Sequence, residues 1–412
     1  MENPKIRFKG FTKDWEQRKL VDIASSFEYG LNAAAKEYDE ENKYIRITDI
    51  DDNTHEFLTD NLTSPDIDLT GADNYKLTKG DILFARTGAS VGKSYIYRIS
   101  DGLVYYAGFL IRARIKEEYD EEFVFQNTLT DRYNKYIAVT SQRSGQPGVN
   151  AQEYSEFEIK VPKKEEQTKI GIYFRNLDHL ITLHQRKCEQ TKNLKKYMLQ
   201  KMFPKNGAKV PEIRFDGFTY DWEQRKFGEI TELKSASRVH KDEWTSNGVP
   251  FYRSSDVMTA INGTENEKAF ISEELYEKLS KVSGKLEEGD ILVTGGGSVG
   301  NPYIVPDNKP LYTKDADLLW IKNKGKFHPY FLYEFFFSPT FRNYLGSISH
   351  VGTIAHYTIT QLSDTPISLP SFEEQKEVGE YFQSLDHLIT LHQRKCDELK
   401  KMKKYMLQNM FI

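Results

Sequence analysis

The chain contains one unit twice, and this internal repeat restricts its fold more than any other feature of the sequence. Ile6–Leu20 reads IRFKGFTKDWEQRKL and returns as Ile213–Phe227 with twelve of fifteen residues identical, at an offset of 207. Leu177–Cys188 reads LDHLITLHQRKC and returns unchanged as Leu385–Cys396, at an offset of 208. We therefore predict two copies of one large unit, because 412 residues also exceed one ordinary core.

The repeat is kept unevenly along its length. Its flanks are nearly identical, whereas the interiors keep only a skeleton; we call residues 21–162 the first variable segment and residues 228–370 the second. The Gly-Asp-Ile-Leu of Gly80–Leu83 returns as Gly289–Leu292 within this skeleton. A solenoid repeats every 20–50 residues and varies its surface evenly. A constant frame around two diverged interiors instead suits recognition of two different targets.

Two long helices are predicted at Glu165–Phe203 and Glu373–Phe411. Apolar residues recur at helical spacing in both, and no Gly or Pro interrupts the first after Gly171. About 39 residues make a rod of roughly 58 Å. Since a long amphipathic helix needs a partner for its apolar stripe, we expect the two helices to pack antiparallel.

The variable segments read as mixed α/β structure. The predicted strands of the first are Tyr44–Ile47, Asp81–Ala85, Ser94–Ile99, Phe109–Ile115 and Phe157–Val161. Those of the second are Val249–Arg253, Asp290–Thr294, Pro302–Val305, Asp317–Lys322 and Thr365–Leu369, with helices at Leu275–Lys281 and Tyr330–Phe337. The predicted fold class is therefore α/β (α+β): two tandem mixed domains separated by two long antiparallel, coiled-coil-like helices in a pseudo-two-fold repeat.

Composition limits the class of protein. A 38% hydrophobic share provides real cores, no apolar run is long enough to span a membrane, and no signal peptide opens the chain, so a cytoplasmic protein is expected. The two cysteines, Cys188 and Cys396, suggest no disulfide framework. The net charge of −4 does not by itself favour a nucleic-acid partner. DNA binding then requires basic residues clustered on one face, or phosphate contacts from partner subunits.

Three short motifs resemble nucleotide or methyl-donor sites without their context. Gly295–Gly300 matches G-x-G-x-x-G, but the residues after it read as a strand and not as the helix that such a site needs. Gly88–Ser94 is one residue too short for a P-loop. Asn301–Tyr303 lacks one proline of an amino-methyltransferase motif. Tight turns that use glycine at positive φ are the favoured interpretation of both glycine motifs.

The long helices carry histidines beside acidic residues. His179 and His184 follow Asp178, and the repeat places His387 and His392 after Asp386. Their spacing does not put both rings on one helical face. Packing or partner contact is therefore favoured over a metal or acid–base site, and no catalytic constellation is assigned.

At this point the chain resembles the specificity subunit of a type I restriction-modification system, over its whole length. The resemblance rests on the paired F-x-G-F-T-x-D-W-E-Q-R-K segments, the G-D-I-L turns, the V-P and L-P exits, the E-Q helix starts and the L-D-x-L-I helices. It implies two target-recognition domains, each reading one half of a bipartite, asymmetric DNA site. The implied division is 1–162 for the N-terminal repeat segment and first recognition domain, 163–209 for the spacer helix and linker, 210–370 for the second repeat segment and domain, and 371–412 for the C-terminal helix.

The resemblance also implies partners and cofactors. The helices set the gap between half-sites and dock two methyltransferase subunits, and two restriction/translocase subunits complete the assembly. This chain has no catalytic, cofactor or metal residues of its own, since S-adenosylmethionine, ATP and Mg²⁺ belong to the partners. Polar loops around Ser144–Asn150 and His350–Tyr357, with the turns before them, are suited to base edges and phosphates.

Candidate residues follow from these loops and helix faces. The DNA-binding candidates are Arg86, Thr87, Ser90, Lys93, Arg143, Ser144, Gln146, Asn150, Ser298, Asn301, His350, Thr353, His356 and Tyr357. The partner-binding helix candidates are Leu177, Leu180, Ile181, His184, Leu385, Leu388, Ile389 and His392. Two alternatives stay open: a protein-interaction scaffold that binds no DNA, and an enzyme with nucleotide chemistry at Gly295–Gly300.

Overall fold

The computed structural model describes residues 3–143, 145–205, 207–314, 317–348 and 356–412. The chain divides into two compact units: unit 1 holds residues 1–186 and 392–412, and unit 2 holds residues 187–391. Within the described ranges, no helix combines the length and apolar character that crossing a bilayer requires.

The first variable segment and its flanks form ten strands and four short helices, followed by the first long helix. The strands are β1 (Glu16–Lys19), β2 (Ala24–Tyr29), β3 (Ala35–Glu37), β4 (Lys43–Ile45), β5 (Thr63–Pro65), β6 (Asp81–Ala85), β7 (Ser94–Ile96), β8 (Val104–Tyr106), β9 (Leu110–Ile115) and β10 (Glu158–Val161). The helices are α1 (Leu20–Ile23), α2 (Glu121–Asn127), α3 (Asp131–Thr140), α4 (Ala151–Ser155) and α5 (Lys164–Lys201).

The second half repeats this order with changes in its interior. Its strands are β11 (Glu223–Lys226), β12 (Leu233–Ser235), β13 (Trp244–Thr245), β14 (Val249–Tyr252), β15 (Ala269–Ile271), β16 (Ile291–Thr294), β17 (Pro302–Ile304), β18 (Tyr312–Thr313), β19 (Leu318–Ile321) and β20 (Pro366–Leu369). Its helices are α6 (Phe227–Ile230), α7 (Ser254–Asn262), α8 (Glu273–Ser283), α9 (Pro329–Phe335), α10 (Pro339–Ile348), α11 (Ile359–Asp364) and α12 (Phe372–Met410).

Both units share two sheets. Unit 1 has a four-stranded antiparallel sheet in the order β2-β9-β6-β7, and unit 2 has its counterpart in the order β12-β19-β16-β17. The opening strand pairs with the closing strand in each unit, β1 with β10 and β11 with β20. The predicted mixed α/β class and internal repeat are confirmed, although most predicted strands are shorter by one to three residues.

The repeated Gly-Asp dipeptide explains why β6 and β16 begin where they do. Gly80 and Gly289 have φ of +91° and +84°, which glycine adopts without a Cβ clash. The following carboxylates accept backbone N–H groups of the turn, Asp81 from Thr78 at 2.8 Å and Asp290 from Glu287 at 3.0 Å. The turn then opens into a fully buried apolar strand.

The partner of this buried Asp differs between the units. Arg114 Nε donates to Asp81 at 2.9 Å in unit 1, whereas Trp320 Nε1 donates to Asp290 at 2.8 Å in unit 2. The turn is therefore constant while its surroundings have diverged, as the sequence repeat predicts.

The long helices pack antiparallel within each unit, as predicted. In unit 1, His184 of α5 faces His392 of α12, and six residues earlier Asp178 contacts Lys403. In unit 2, the Cys188 thiol donates to the Ile389 carbonyl at 3.7 Å. The partner number falls as the α5 number rises, which defines antiparallel helices.

Two glycines let the variable segments approach the helices closely. A Cβ on Gly171 would lie 3.2 Å from the Phe123 nitrogen of α2. A Cβ on Gly379, at the repeated position, would lie 2.9 Å from the Phe331 nitrogen of α9. Gly171 therefore has a packing role. In the sequence it stood out only as the last residue able to interrupt the first long helix.

Candidate nucleic-acid interface

The glycine turn between β6 and β7 leads into a strand. Gly88 and Gly92 have φ of +77° and +86°, and the backbone between them forms a single 3-10 turn. The corresponding turn of unit 2 has Gly297 and Gly300 at +72° and +77° and leads into β17. Since no helix N-terminus opens at either turn, the hypothesis of a nucleotide site at Gly295–Gly300 loses its structural basis.

Hydrogen bonds join this turn to the second candidate loop in unit 1. The Gly88 N–H donates to the Pro147 carbonyl at 3.0 Å, and the Val149 N–H donates to the Arg86 carbonyl at 2.9 Å. We call residues 86–93 together with residues 143 and 145–150 the first loop pair. The two loops, which the sequence indicated separately, form one continuous surface.

Unit 2 joins the equivalent loops in the same way. The Tyr357 N–H donates to the Gly295 carbonyl at 2.8 Å, and Gly296 forms an isolated β-bridge with His356. We call residues 295–301 with residues 356–357 the second loop pair. The candidates Ser144, His350 and Thr353 lie outside the described residues.

The exposed candidates of the first loop pair are Arg143, Gln146 and Asn150. Arg143 pairs with Glu153, so its charge is already partly neutralised. Asn150 caps α4, because its Oδ1 accepts the Glu153 N–H at 2.9 Å. Gln146 lies over Gly88, where a Cβ would be 3.0 Å from its Nε2. Among the described contacts, Gln146 is therefore the exposed candidate of this loop pair that neither forms an ion pair nor caps a helix.

Arg86, Thr87, Ser90 and Lys93 are half-buried in the same turn. Thr87 forms the isolated bridge to Gly148. Lys93 donates to the Ile50 carbonyl at 3.0 Å and pairs with Asp52, so it stabilises a loop of its own variable segment.

Ser90 and Lys93 line a cleft of about 650 Å³ within unit 1. Residues 52–55, helix α3, part of α5 and the C-terminal part of α12 also line it, with Lys400 and Lys404 among the α12 residues. The turn thus presents Thr87 to the first loop pair, and Ser90 and Lys93 to this cleft.

The second loop pair presents Ser298 and His356 at its surface, with Asn301 half-buried. Asn301 Nδ2 donates to the Ser298 carbonyl at 2.8 Å, and its Oδ1 accepts from Arg342 at 3.0 Å. Burial lowers the pKa of Arg342. This arginine, which the sequence did not indicate, orients the Asn301 amide from the helix behind the loop.

Tyr357 requires a correction. Only 1% of its surface is exposed, and its hydroxyl is hydrogen-bonded to the Thr365 hydroxyl in the core of unit 2. Burial raises the pKa of this phenol. The prediction that Tyr357 contacts DNA is wrong, because an aromatic next to a polar loop was taken as part of its surface.

Three helix candidates also require correction. Leu177 and Ile181 are buried in the core of unit 1, and Leu385 is buried in the core of unit 2. They stabilise their own unit and offer nothing to a partner. The candidates Ile389, His184 and His392 are half-buried, and the two histidine rings face each other with Nδ1 atoms 3.0 Å apart.

The remaining helix candidates, Leu180 and Leu388, are 40% and 41% exposed. Other large apolar side chains of the long helices are exposed as well, and the repeat relates them in pairs. We call the unit 1 residues the first apolar set and the unit 2 residues the second. The first set is Leu180, Leu183, Met402 and Tyr405, and the second is Leu388, Leu391, Leu194 and Tyr197.

Exposed aromatic residues beside the first loop pair were missed by the sequence. Phe109 was predicted to start a strand, but β9 starts at Leu110 and leaves Phe109 in the preceding turn, 62% exposed. Tyr29 ends β2 and is 44% exposed, with the Arg86 guanidinium 5.0 Å from the centre of its ring. The Ala107-Gly108 pair before Phe109 is the sequence signal that marks the turn.

The described residues contain no group of three or more His, Cys, Asp or Glu side chains placed to hold a metal ion. The candidate surface is therefore made of loops, glycine turns and exposed polar and aromatic side chains, repeated once in each unit.

Comparison with known proteins identifies this arrangement. The family model described as the type I restriction modification DNA specificity domain matches residues 12–193 and again residues 220–401. The chain belongs to this family. As a family member it is a DNA-binding specificity subunit of a type I restriction-modification system, and each of its two domain matches contains one loop pair.

Two relatives agree with this assignment along nearly the whole chain, and a solved structure shows the same fold. The MjaVIII specificity subunit of Methanocaldococcus jannaschii is 23% identical over 411 residues, covering 96% of this chain and 91% of the relative. The putative MjaX specificity subunit of the same organism is 25% identical over 414 residues, covering 96% and 92%. The crystal structure of an S subunit from M. genitalium is 15% identical with a TM-score of 0.65, covers 100% of this chain and 99% of that one, and shows the same fold.

Proposed function

We propose that each variable segment reads one half of a bipartite, asymmetric DNA site through its loop pair. One observation carries the proposal: the same sheet and the same hydrogen-bonded pair of loops occur in both units, whereas the residues that the loops present differ. The exposed candidates are Arg143, Gln146 and Asn150 in unit 1, whereas they are Ser298 and His356 in unit 2. Two different loop surfaces on one frame support two different half-sites, since base edges are read by such side chains and phosphates only position a protein.

The long helices complete the proposal. They set the gap between the half-sites, and two methyltransferase subunits dock on the first and second apolar sets. Exposed apolar side chains at four repeated pairs of positions support docking of two equal partners, because large exposed apolar patches on soluble proteins mark interaction sites. Two restriction/translocase subunits join this core in the full assembly.

The chemistry belongs to the partners in this proposal. S-adenosylmethionine is bound by the methyltransferase subunits, and ATP with Mg²⁺ by the translocase subunits. This chain supplies recognition and assembly and is not catalytic alone. Its glycine turns, which lead into strands, support this division because neither offers a helix N-terminus to a phosphate.

The alternative is a protein-interaction scaffold that binds no DNA. The exposed apolar sets and the net charge of −4 are compatible with it. It gives no reason for two loop pairs that share a backbone frame and differ in their side chains.

Co-expression with the neighbouring methyltransferase in a host that lacks both tests the proposal. N6-methyladenine is then mapped across the genome, with a host that expresses the methyltransferase alone as the control. A discontinuous, asymmetric motif that requires this chain is the expected result. An unmethylated genome despite a stable complex with intact methyltransferase would favour the scaffold.

A further inference from the structure

Phe109 and Tyr29 are the exposed aromatic residues of the described part of the first variable segment. Both contact Arg86, which starts the first loop pair. The Arg86 N–H donates to the Phe109 carbonyl at 3.1 Å, and the Arg86 guanidinium lies over the Tyr29 ring. Arg86 thus contacts the ring of Tyr29 and the backbone of Phe109, and we call these three residues the aromatic patch.

Backbone hydrogen bonds hold the aromatic patch rigidly. The Leu110 N–H donates to the Ala107 carbonyl at 2.8 Å and closes the turn that carries Phe109. The Gly30 N–H donates to the Leu110 carbonyl at 3.1 Å and ties the end of β2 to this turn. Arg86 Nη1 lies 3.4 Å from the Gly108 carbonyl that it donates to. Little conformational entropy is therefore lost when Phe109 makes a contact with a ligand.

DNA is the expected ligand of the aromatic patch, because the patch adjoins the first loop pair. The Val149 N–H bonds to the Arg86 carbonyl, so the patch is continuous with the loop that presents Gln146. The Arg86 cation suits the phosphates that line a DNA groove. The Phe109 ring suits the few apolar groups that the groove exposes. In the major groove the apolar group that differs between bases is the C5-methyl of thymine, which Phe side chains contact.

The second unit lacks this patch at the corresponding place. Asp317 takes the position of Phe109, since its carbonyl accepts the Gly295 N–H at 2.8 Å as the Phe109 carbonyl accepts that of Arg86. The Asp317 carboxylate pairs with Lys314 at 2.5 Å. A polar ion pair therefore replaces the exposed ring, and the two units differ in chemistry at the same point of the frame.

We propose that Phe109 contacts the C5-methyl group of a thymine in the half-site that the first variable segment reads, and thereby helps to determine that half-site. Arg86, held over Tyr29 and hydrogen-bonded to the Phe109 carbonyl, lies beside the same contact. The inference rests on the proposed function and names one base that this surface selects.

The test is a double-mutant cycle between the protein and the DNA. The complex of this chain with its methyltransferase is titrated with duplexes of the mapped site. In each duplex, one thymine of one half-site is replaced by deoxyuridine, which removes only the methyl group. The protein variants are Phe109→Ala and Phe109→Leu, and Ile99→Ala is the matched control. Ile99 is an apolar residue that is 74% exposed near the Asp81 end of β6, whereas Phe109 is next to the Ala85 end.

We expect the wild-type complex to lose about four-fold in affinity at one thymine when its methyl group is removed. The Phe109→Ala complex binds the unmodified duplex more weakly and shows no further loss with deoxyuridine there. Phe109→Leu keeps part of the sensitivity, and Ile99→Ala behaves as wild type.

Equal sensitivity to deoxyuridine in wild type and Phe109→Ala at every thymine would overturn the inference. So would a first half-site without thymine on either strand. Both results leave the bipartite motif intact, whereas failure of the proposed function leaves no motif to titrate.

Discussion

Lys195 and Asp386 form an ion pair between the two long helices of unit 2, with 2.6 Å between Nζ and Oδ2. The repeat places Lys403 and Asp178 in the same relation in unit 1, also at 2.6 Å. The pairs are equivalent under the offset of 208 residues. They mark the point where each variable segment is fixed to its helices.

A third residue joins each ion pair from the variable segment and differs between the units. Gln126 of α2 donates to Asp178 at 2.9 Å in unit 1. Its counterpart, Glu334 of α9, accepts from Lys195 at 2.8 Å in unit 2. The position is constant, but only one unit places an ionisable group there.

This difference predicts a pH dependence of the stability of unit 2. Burial raises the pKa of Glu334 to about 8; Lys195 opposes the rise and Asp386 adds to it. The ordinary value is 4.5, so the folded chain holds a proton between pH 4.5 and 8 that the unfolded chain has released. The free energy of unfolding therefore falls as the pH rises through this window.

Glu334→Gln, which copies Gln126, removes the titrating group and should flatten this dependence. We expect the variant to be more stable than wild type by about 1 kcal/mol or more at pH 8.5, with a smaller difference at pH 5. Urea unfolding followed by tryptophan fluorescence measures it, since Trp222, Trp244 and Trp320 lie in unit 2. An unchanged slope between the two pH values would contradict the assignment.

Gly379→Ala should destabilise unit 2 despite alanine's better helix propensity. The propensity gain is about 1 kcal/mol. The new Cβ would lie 2.9 Å from the Phe331 backbone nitrogen and 2.6 Å from a His328 ring nitrogen, and such overpacking costs about 1–3 kcal/mol. We expect a net loss of about 1 kcal/mol in urea unfolding.

Gly346→Ala is the matched control for this substitution. Gly346 lies in α10, and no atom of the described residues would lie within 4 Å of its Cβ. Its variant should gain up to about 1 kcal/mol from propensity alone. If both variants gave the same change in stability, close packing at Gly379 would be refuted.

The long helices were predictable because their signal is local. A 3.6-residue apolar period without breakers fixes a helix, and the structure differs from the predicted ends by one or two residues. Short strands such as β3 and β13 carry no such signal, because they depend on partners that are distant in sequence. Their existence therefore became visible only in the folded chain.

The candidate interface was predictable in its loops and less so in its residues. Glycine motifs located the first loop of each pair and polar composition the second. The sequence did not show the hydrogen bonds that join them, since these link residues about 60 positions apart. Burial separated Tyr357 from the surface, and exposure added Phe109. The identity of an aromatic residue does not by itself indicate whether its side chain will be buried, as in Tyr357, or exposed, as in Phe109.

Gln146 and Asn150 should respond differently to substitution. Asn150→Asp keeps an N-cap acceptor for α4 and should leave stability and the methylated motif unchanged. Gln146→Ala removes an exposed amide without a cap role and should relax one base position by about 1–3 kcal/mol of discrimination. The motif of each variant is read from methylated genomic DNA. A changed motif in Asn150→Asp with an unchanged one in Gln146→Ala would reverse these assignments.

Leu180→Lys and Leu388→Lys should each weaken the binding of one methyltransferase subunit. The two leucines occupy the same repeat position in different apolar sets, and a buried charge at an interface is costly. We expect one bound subunit with either variant and none with the double variant, measured by analytical ultracentrifugation. Val139→Lys is the control, because Val139 is an exposed apolar residue of α3 outside the long helices. Two bound subunits with the double variant would exclude these leucines from the interface.

Replacement of the second variable segment by a copy of the first tests whether each segment reads one half of the DNA site. Residues 21–162 would be placed between the flanks of residues 228–370, where the repeated ion pairs and glycines provide equivalent contacts. Genomic methylation by this chain with its methyltransferase is then compared with that of wild type. We expect the half-site read by the second segment to become a copy of the other, which itself stays unchanged. An unaltered motif, or the simultaneous loss of both half-sites in a folded complex, would contradict one segment reading one half.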